Sequence, residues 1–94
     1  MIIPKSFKIF GTTFTVKQLN KVMHEGESVM GLYDPNTYTI YLRKNLKREN
    51  KEQTYCHELA HAILLTLEYK KLGYDETFIE LLSRALHQVL TTQQ

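Results

Sequence analysis

The stretch TYCHELAHAILL, Thr54 to Leu65, carries two of the four histidines of the chain, with His57 and His61 four residues apart and Glu58 directly after the first. On a helix each residue advances ~100° round the axis, so positions i and i+4 lie only ~40° apart and project from one face. Two imidazoles on successive turns can close on one metal ion at ~2.0–2.1 Å. Glu58 stands ~100° round from His57, off the ligand line but within reach of a water held by the ion. The spacing supplies two ligands and one base, the parts of metal-assisted hydrolysis.

A two-histidine site needs a third protein ligand and leaves a fourth position for water. The segment GYDETFIELLSRALHQ offers Glu76 and Glu80 at i and i+4. They share a polar stripe with Ser83 and His87, opposite an apolar face of Phe78, Ile79, Leu82, Ala85, Leu86 and Val89. That stripe is equally readable as a solvated face. Glu76 stands near a helix start, where the dipole keeps a carboxylate ionised. Glu80 is the alternative ligand, and His87 the next candidate after it.

The elements that must hold these residues divide into strands first and helices after. FKIF and TFTV flank Gly11-Thr12 and predict a hairpin. SVMGLY and TYTIYLR flank Asp34-Pro35-Asn36 and predict a second, with strands Val29 to Tyr33 and Tyr38 to Leu42. Lys17 to Glu27 reads as either a short helix or a continued strand. Asn50 with Gln53 resembles a capping box, and Gly73 after two lysines is a stop, so one helix is expected from Lys51 to Leu72. Cys56, Leu59, Ile63 and Leu67 are its expected core face. A second helix is expected from Asp75, as N-cap, to about Leu90, with TTQQ frayed. The expected fold class is α+β: a small twisted, mostly antiparallel sheet packed against the two helices.

Composition narrows the function. At 94 residues, the sequence is read as a single domain, residues 1–94. Hydrophobic content of 43% is that of a globular chain. A net charge of +2 does not call for a nucleic-acid partner. The basic cluster Arg43, Lys44, Lys47, Arg48 and Lys51 reads as a solvated loop and helix start. No apolar run reaches the ~20 residues that span a membrane, so no membrane association is expected. One cysteine, Cys56, cannot form an internal disulfide and is read as a small buried apolar residue. With no signal-peptide pattern in MIIPKSFKIF, a cytoplasmic location is expected.

His57, Glu58 and His61 form the H-E-x-x-H pattern of zinc peptidases. Leu64 and Leu67 stand where a metzincin would have glycine and histidine. Asp75, Glu76 and Glu80 resemble the N-E-x-x-x-D segment of gluzincins, with Asp75 for the asparagine and Glu80 for the aspartate. Together with IPKSFKIFG, YTIYL and DETFIELLSRALHQVL, these motifs make the chain similar, nearly end to end, to small phage and prophage metallopeptidases related to ImmA/IrrE-type gluzincins. The resemblance implies a minimal zincin-like domain with one zinc per chain. It favours Glu76 as third ligand, with Glu80 accepting a hydrogen bond from a ligating histidine. It also implies a peptide or protein substrate, in some relatives a regulatory protein.

The reading that follows is zinc-dependent peptide hydrolysis with Glu58 as general base. Tyr74 or His87 is the candidate donor to the developing oxyanion. An extended substrate is expected to add to the strand Tyr38 to Leu42, taken as a sheet edge. The alternatives are a non-catalytic, zinc-stabilised protein-binding module and a protease acting at nucleic acid. SprT-type zincins share the motif but use a third histidine.

Overall fold

A computed structural model describes all residues 1–94. Four strands make the main sheet: β1 (Ser6–Ile9), β2 (Thr12–Leu19), β5 (Gly31–Asp34) and β6 (Thr39–Arg43), in the order β1-β2-β6-β5. Two short strands, β3 (Met23–His24) and β4 (Glu27–Ser28), pair only with each other. Three helices follow: α1 (Arg48–Thr66), α2 (Lys70–Gly73) and α3 (Glu76–Thr92). The fold is the expected α+β arrangement.

Both expected hairpins form, with small shifts. The first turns at Phe10-Gly11, both with positive φ, one residue earlier than expected. Two consecutive positive φ values make the tight turn that matches strand twist. The second turns on Asp34, whose carboxylate accepts from the Asn36 backbone N–H at 2.9 Å and the Thr37 hydroxyl at 3.0 Å. The ambiguous segment resolves as strand: β2 runs on to Leu19, and β3 and β4 turn at Glu25-Gly26. The expected edge strand is wrong. β6 is interior, because β2 pairs with it in parallel, Val16 opposite Ile40, while β5 flanks it on the other side. The free edge beside the helices is therefore β5.

The long helix expected from Lys51 to Leu72 is broken. It starts earlier, at Arg48, with no side-chain cap. Asn50 lies inside it, its carbonyl taking the Thr54 hydroxyl at 2.7 Å, so the capping box does not form. It stops at Thr66 because Glu68 adopts φ 64. The Glu68 and Tyr69 N–H groups donate to the carbonyls of Leu65 at 3.1 Å and Leu64 at 3.0 Å. This is a Schellman ending with glutamate in the left-handed position usually given to glycine, at a cost of roughly 1 kcal/mol. The break returns the chain along α1 and seats Gly73 against Leu65. A Cβ at Gly73 would come 2.7 Å from Leu65 Cδ2.

α1 lies between the sheet, where it meets β5 and β6, and α3. It is consequently covered on several sides, with Cys56, Ala60 and Ala62 fully buried. Of its expected core face, Leu59 and Ile63 are only half-buried and Leu67 is exposed, since the helix ends there. Phe14, Val16, Tyr33, Ile40, Leu42 and Tyr55 fill the space between sheet and helix. α3 begins as expected, with the Asp75 carboxylate accepting from the Phe78 N–H at 3.0 Å. Its apolar face is not one core surface. Ile79 is buried, but Phe78, Ala85 and Val89 are exposed because α3 packs chiefly on α1. No helix is long and apolar enough to cross a membrane.

Candidate metal centre and active site

α1 carries His57 and His61 on one flank, with ring centroids 5.0 Å apart. The N-terminal turn of α3 brings Glu76 to both: its carboxylate oxygens lie 3.2 Å from His57 Nε2 and 3.4 Å from His61 Nε2. The ligating atoms of the three residues all lie within 4.8 Å of one another. Each ring is held from behind. His61 Nδ1 donates to the Gly73 carbonyl at 2.7 Å, and His57 Nδ1 donates to Glu80 Oε2 at 3.2 Å. Arg84 in turn holds the other Glu80 oxygen at 3.0 Å.

Those outer bonds fix what the inner nitrogens present. A carbonyl only accepts, so the His61 proton is on Nδ1, and the Glu80 carboxylate selects the same tautomer at His57. Each Nε2 of a neutral ring then points a lone pair at a carboxylate oxygen. Bare, that contact is repulsive. Protonating both rings would set two positive charges side by side, and burial already lowers the His61 pKa. A cation between the three groups removes the conflict. Tetrahedral bonds of ~2.0–2.1 Å place ligand atoms about 3.3 Å apart, which matches the separations from Glu76 to the two histidines. The residues therefore fit a divalent metal with nitrogen and oxygen preference, such as zinc.

Glu58 points elsewhere, into the angle between α1 and β5, and is only 9% exposed. Burial raises its pKa to about 7, with Glu76 adding to the rise, while His57 and the Tyr33 backbone N–H oppose it. Two cavities meet at Glu58. One, of about 280 Å³, is lined by Met30, Gly31, Gln53, Thr54, His57 and Glu80 as well. The other, of about 220 Å³, adds Tyr33, His61, Tyr74 and Glu76 among its walls. Gly31 allows this closeness: a Cβ there would fall 2.5 Å from Thr54 Cγ2 and 3.4 Å from Glu58 Cγ.

The polar stripe of α3 faces α1, although Glu76 at its start stays 70% exposed. Glu80 meets His57, Ser83 Oγ accepts from Gln53 Nε2 at 3.0 Å, and His87 Nε2 lies 2.9 Å from Glu52 Oε1. His87 is thereby committed to Glu52 and lines neither cavity, so it is neither a third ligand nor an oxyanion donor. Tyr74 does line the second cavity. Sequence reasoning missed Glu52, a buried carboxylate that also receives Arg48 and the Met1 α-amino group. It missed the Gly73 carbonyl as well, because a backbone acceptor leaves no residue-type signal. Cys56 is fully buried, and burial pushes its thiol up to about 11, leaving it unreactive.

An α+β domain with H-E-x-x-H on a central helix and a carboxylate from the next long helix defines a metallopeptidase-like class. The chain belongs to the Peptidase M78 family, described as the IrrE N-terminal-like domain, which matches residues 9–85. No curated protein and no solved structure matches the chain.

Proposed function

We propose that the protein is a zinc-dependent metallopeptidase, with His57, His61 and Glu76 as the zinc ligands and Glu58 as the general base. The convergence of two Nε2 lone pairs on the Glu76 carboxylate, beside a buried Glu58, carries this reading. Membership of a peptidase family supports it. Zinc held there would polarise a scissile carbonyl and acidify a water molecule. Glu58 takes the water proton and passes it to the leaving amine. A carboxyl group whose pKa burial raises towards neutrality suits both transfers. The Tyr74 hydroxyl, in the same cavity, donates to the carbonyl oxygen as charge develops.

The substrate is an extended segment of a peptide or protein, a regulatory protein among the candidates. β5 pairs only with β6, so its outer edge offers backbone groups to such a segment. Gly31 and Tyr33 of β5 line the two cavities that meet at Glu58, so a strand laid there would pass the base. A cytoplasmic location fits the unpaired, buried Cys56.

The test is cleavage profiling of a peptide library by zinc-loaded protein, with Glu58→Gln as the partner variant. Cleavage should fall about 10²–10⁴-fold in Glu58→Gln while bound zinc is unchanged. Equal cleavage by the variant removes Glu58 from the chemistry. No cleavage by a fully zinc-loaded wild type leaves a metal-stabilised binding module instead.

A further inference from the structure

The β3–β4 hairpin adds no strand to the main sheet, yet it is firmly placed. Val22, only 3% exposed, anchors its base, and the Val29 N–H donates to the Val22 carbonyl at 2.9 Å. Arg43 of β6 reaches across to Ser28 at 3.2 Å. The turn at Glu25-Gly26 has two positive φ values and closes tightly. The hairpin residue that reaches the site is His24. It lines the 220 Å³ cavity together with Glu58, His61, Tyr74 and Glu76. That space is of the order of a peptide unit with a side chain and is open to solvent on one side.

The donors of that cavity are few. His61 is committed to Gly73 and the proposed metal. Glu58 and Glu76 are acceptors when ionised. His24, Tyr33 and Tyr74 remain; Tyr33 is packed in the core at 8% exposure, and neither the His24 nor the Tyr74 side chain is hydrogen-bonded to another part of the protein. The one ionic neighbour of His24, Glu25, is 3.9 Å away and exposed, too weak a contact to hold the ring. The His24 side chain is 53% exposed, so its ring is free to meet a substrate entering the cavity that it lines with Glu58.

We propose that His24 is a second catalytic donor. Its ring N–H would hydrogen-bond the peptide carbonyl oxygen as that oxygen gains charge, beside Tyr74. This rests on the metallopeptidase reading. No covalent bond to His24 forms, and its proton stays on the ring.

The test uses the zinc-loaded full chain with His24→Ala and His24→Gln. Calorimetry should give both variants the zinc affinity of wild type. Against a peptide that wild type cleaves, His24→Ala should lose about 10²-fold in kcat with little change in KM. His24→Gln, which keeps an N–H donor, should recover part of that loss. A readout independent of turnover is affinity for a peptide phosphonate, which mimics the charged tetrahedral species, against the matched amide peptide. His24→Ala should weaken the phosphonate at least tenfold and leave the amide unchanged. Equal phosphonate affinity in wild type and His24→Ala overturns the role of His24 alone, as does a loss confined to KM. A zinc-loaded wild type that binds neither probe and cleaves nothing overturns the metallopeptidase reading, and His24 with it.

Discussion

Glu80 Oε2 lies 3.2 Å from Nδ1 of His57, the ring nitrogen that faces away from Glu76. The imidazole thus has a carboxylate on each side, and the two glutamates have different duties. Glu76 faces Nε2 of both histidines; Glu80 fixes the tautomer and orientation of one. Loss of an outer partner of this kind typically costs ~10–100-fold in metal affinity, less than loss of a ligand. Titration of zinc into Glu76→Ala and Glu80→Ala should rank Glu76→Ala as the weaker binder. The reverse order transfers the ligand role to Glu80.

Gly31 sets how closely β5 approaches α1. An alanine there would put Cβ 2.5 Å from Thr54 Cγ2 and 3.2 Å from the Tyr41 carbonyl oxygen. Thr54 has little freedom to yield, because its hydroxyl is bonded to the Asn50 carbonyl at 2.7 Å. Gly31→Ala should therefore cost about 1–3 kcal/mol in urea unfolding, as overpacking does. Thr54→Ser removes the offending methyl, so Gly31→Ala in that background should cost clearly less. Strictly additive costs would place the strain elsewhere.

Glu52 makes stability acid-sensitive. Its bond to His87, with help from the Met1 amino group and Arg48, holds its pKa down to about 2 against an ordinary 4.5. The folded state therefore takes up the proton less readily than the unfolded one. The stabilisation is complete above about pH 4.5 and is lost as the pH falls towards 2. Urea titrations of metal-free protein across this range should show a steeper decline for wild type than for Glu52→Gln. Parallel profiles would remove Glu52 as the cause.

Much of the site is legible in the sequence because helical spacing is local: His57, Glu58 and His61 need only one turn of α1 to be placed. Glu76 and Glu80 are legible as a pair on one face of α3. The order of the strands is not, because the parallel pairing of β2 with β6 depends on contacts between distant segments. The break after Thr66 is hidden for a different reason. Glu68 takes a backbone conformation that its residue type disfavours, and the break it makes seats Gly73 on Leu65, a contact between segments that no local pattern announces. Leu67 then faces solvent rather than the core. His24 carries no spacing signal at all, since its cavity partners come from β5, α1 and the segment around α2 and α3.

His57, His61 and Glu76 are proposed to form one zinc site. Elemental analysis of the purified protein, with the same measurement on His57→Ala and His61→Ala, tests it directly. One zinc per chain is predicted for wild type, and the melting temperature should fall when a chelator removes it. Each histidine variant should retain little metal while keeping the helical content of metal-free wild type. Full zinc occupancy in both variants would exclude His57 and His61 as ligands.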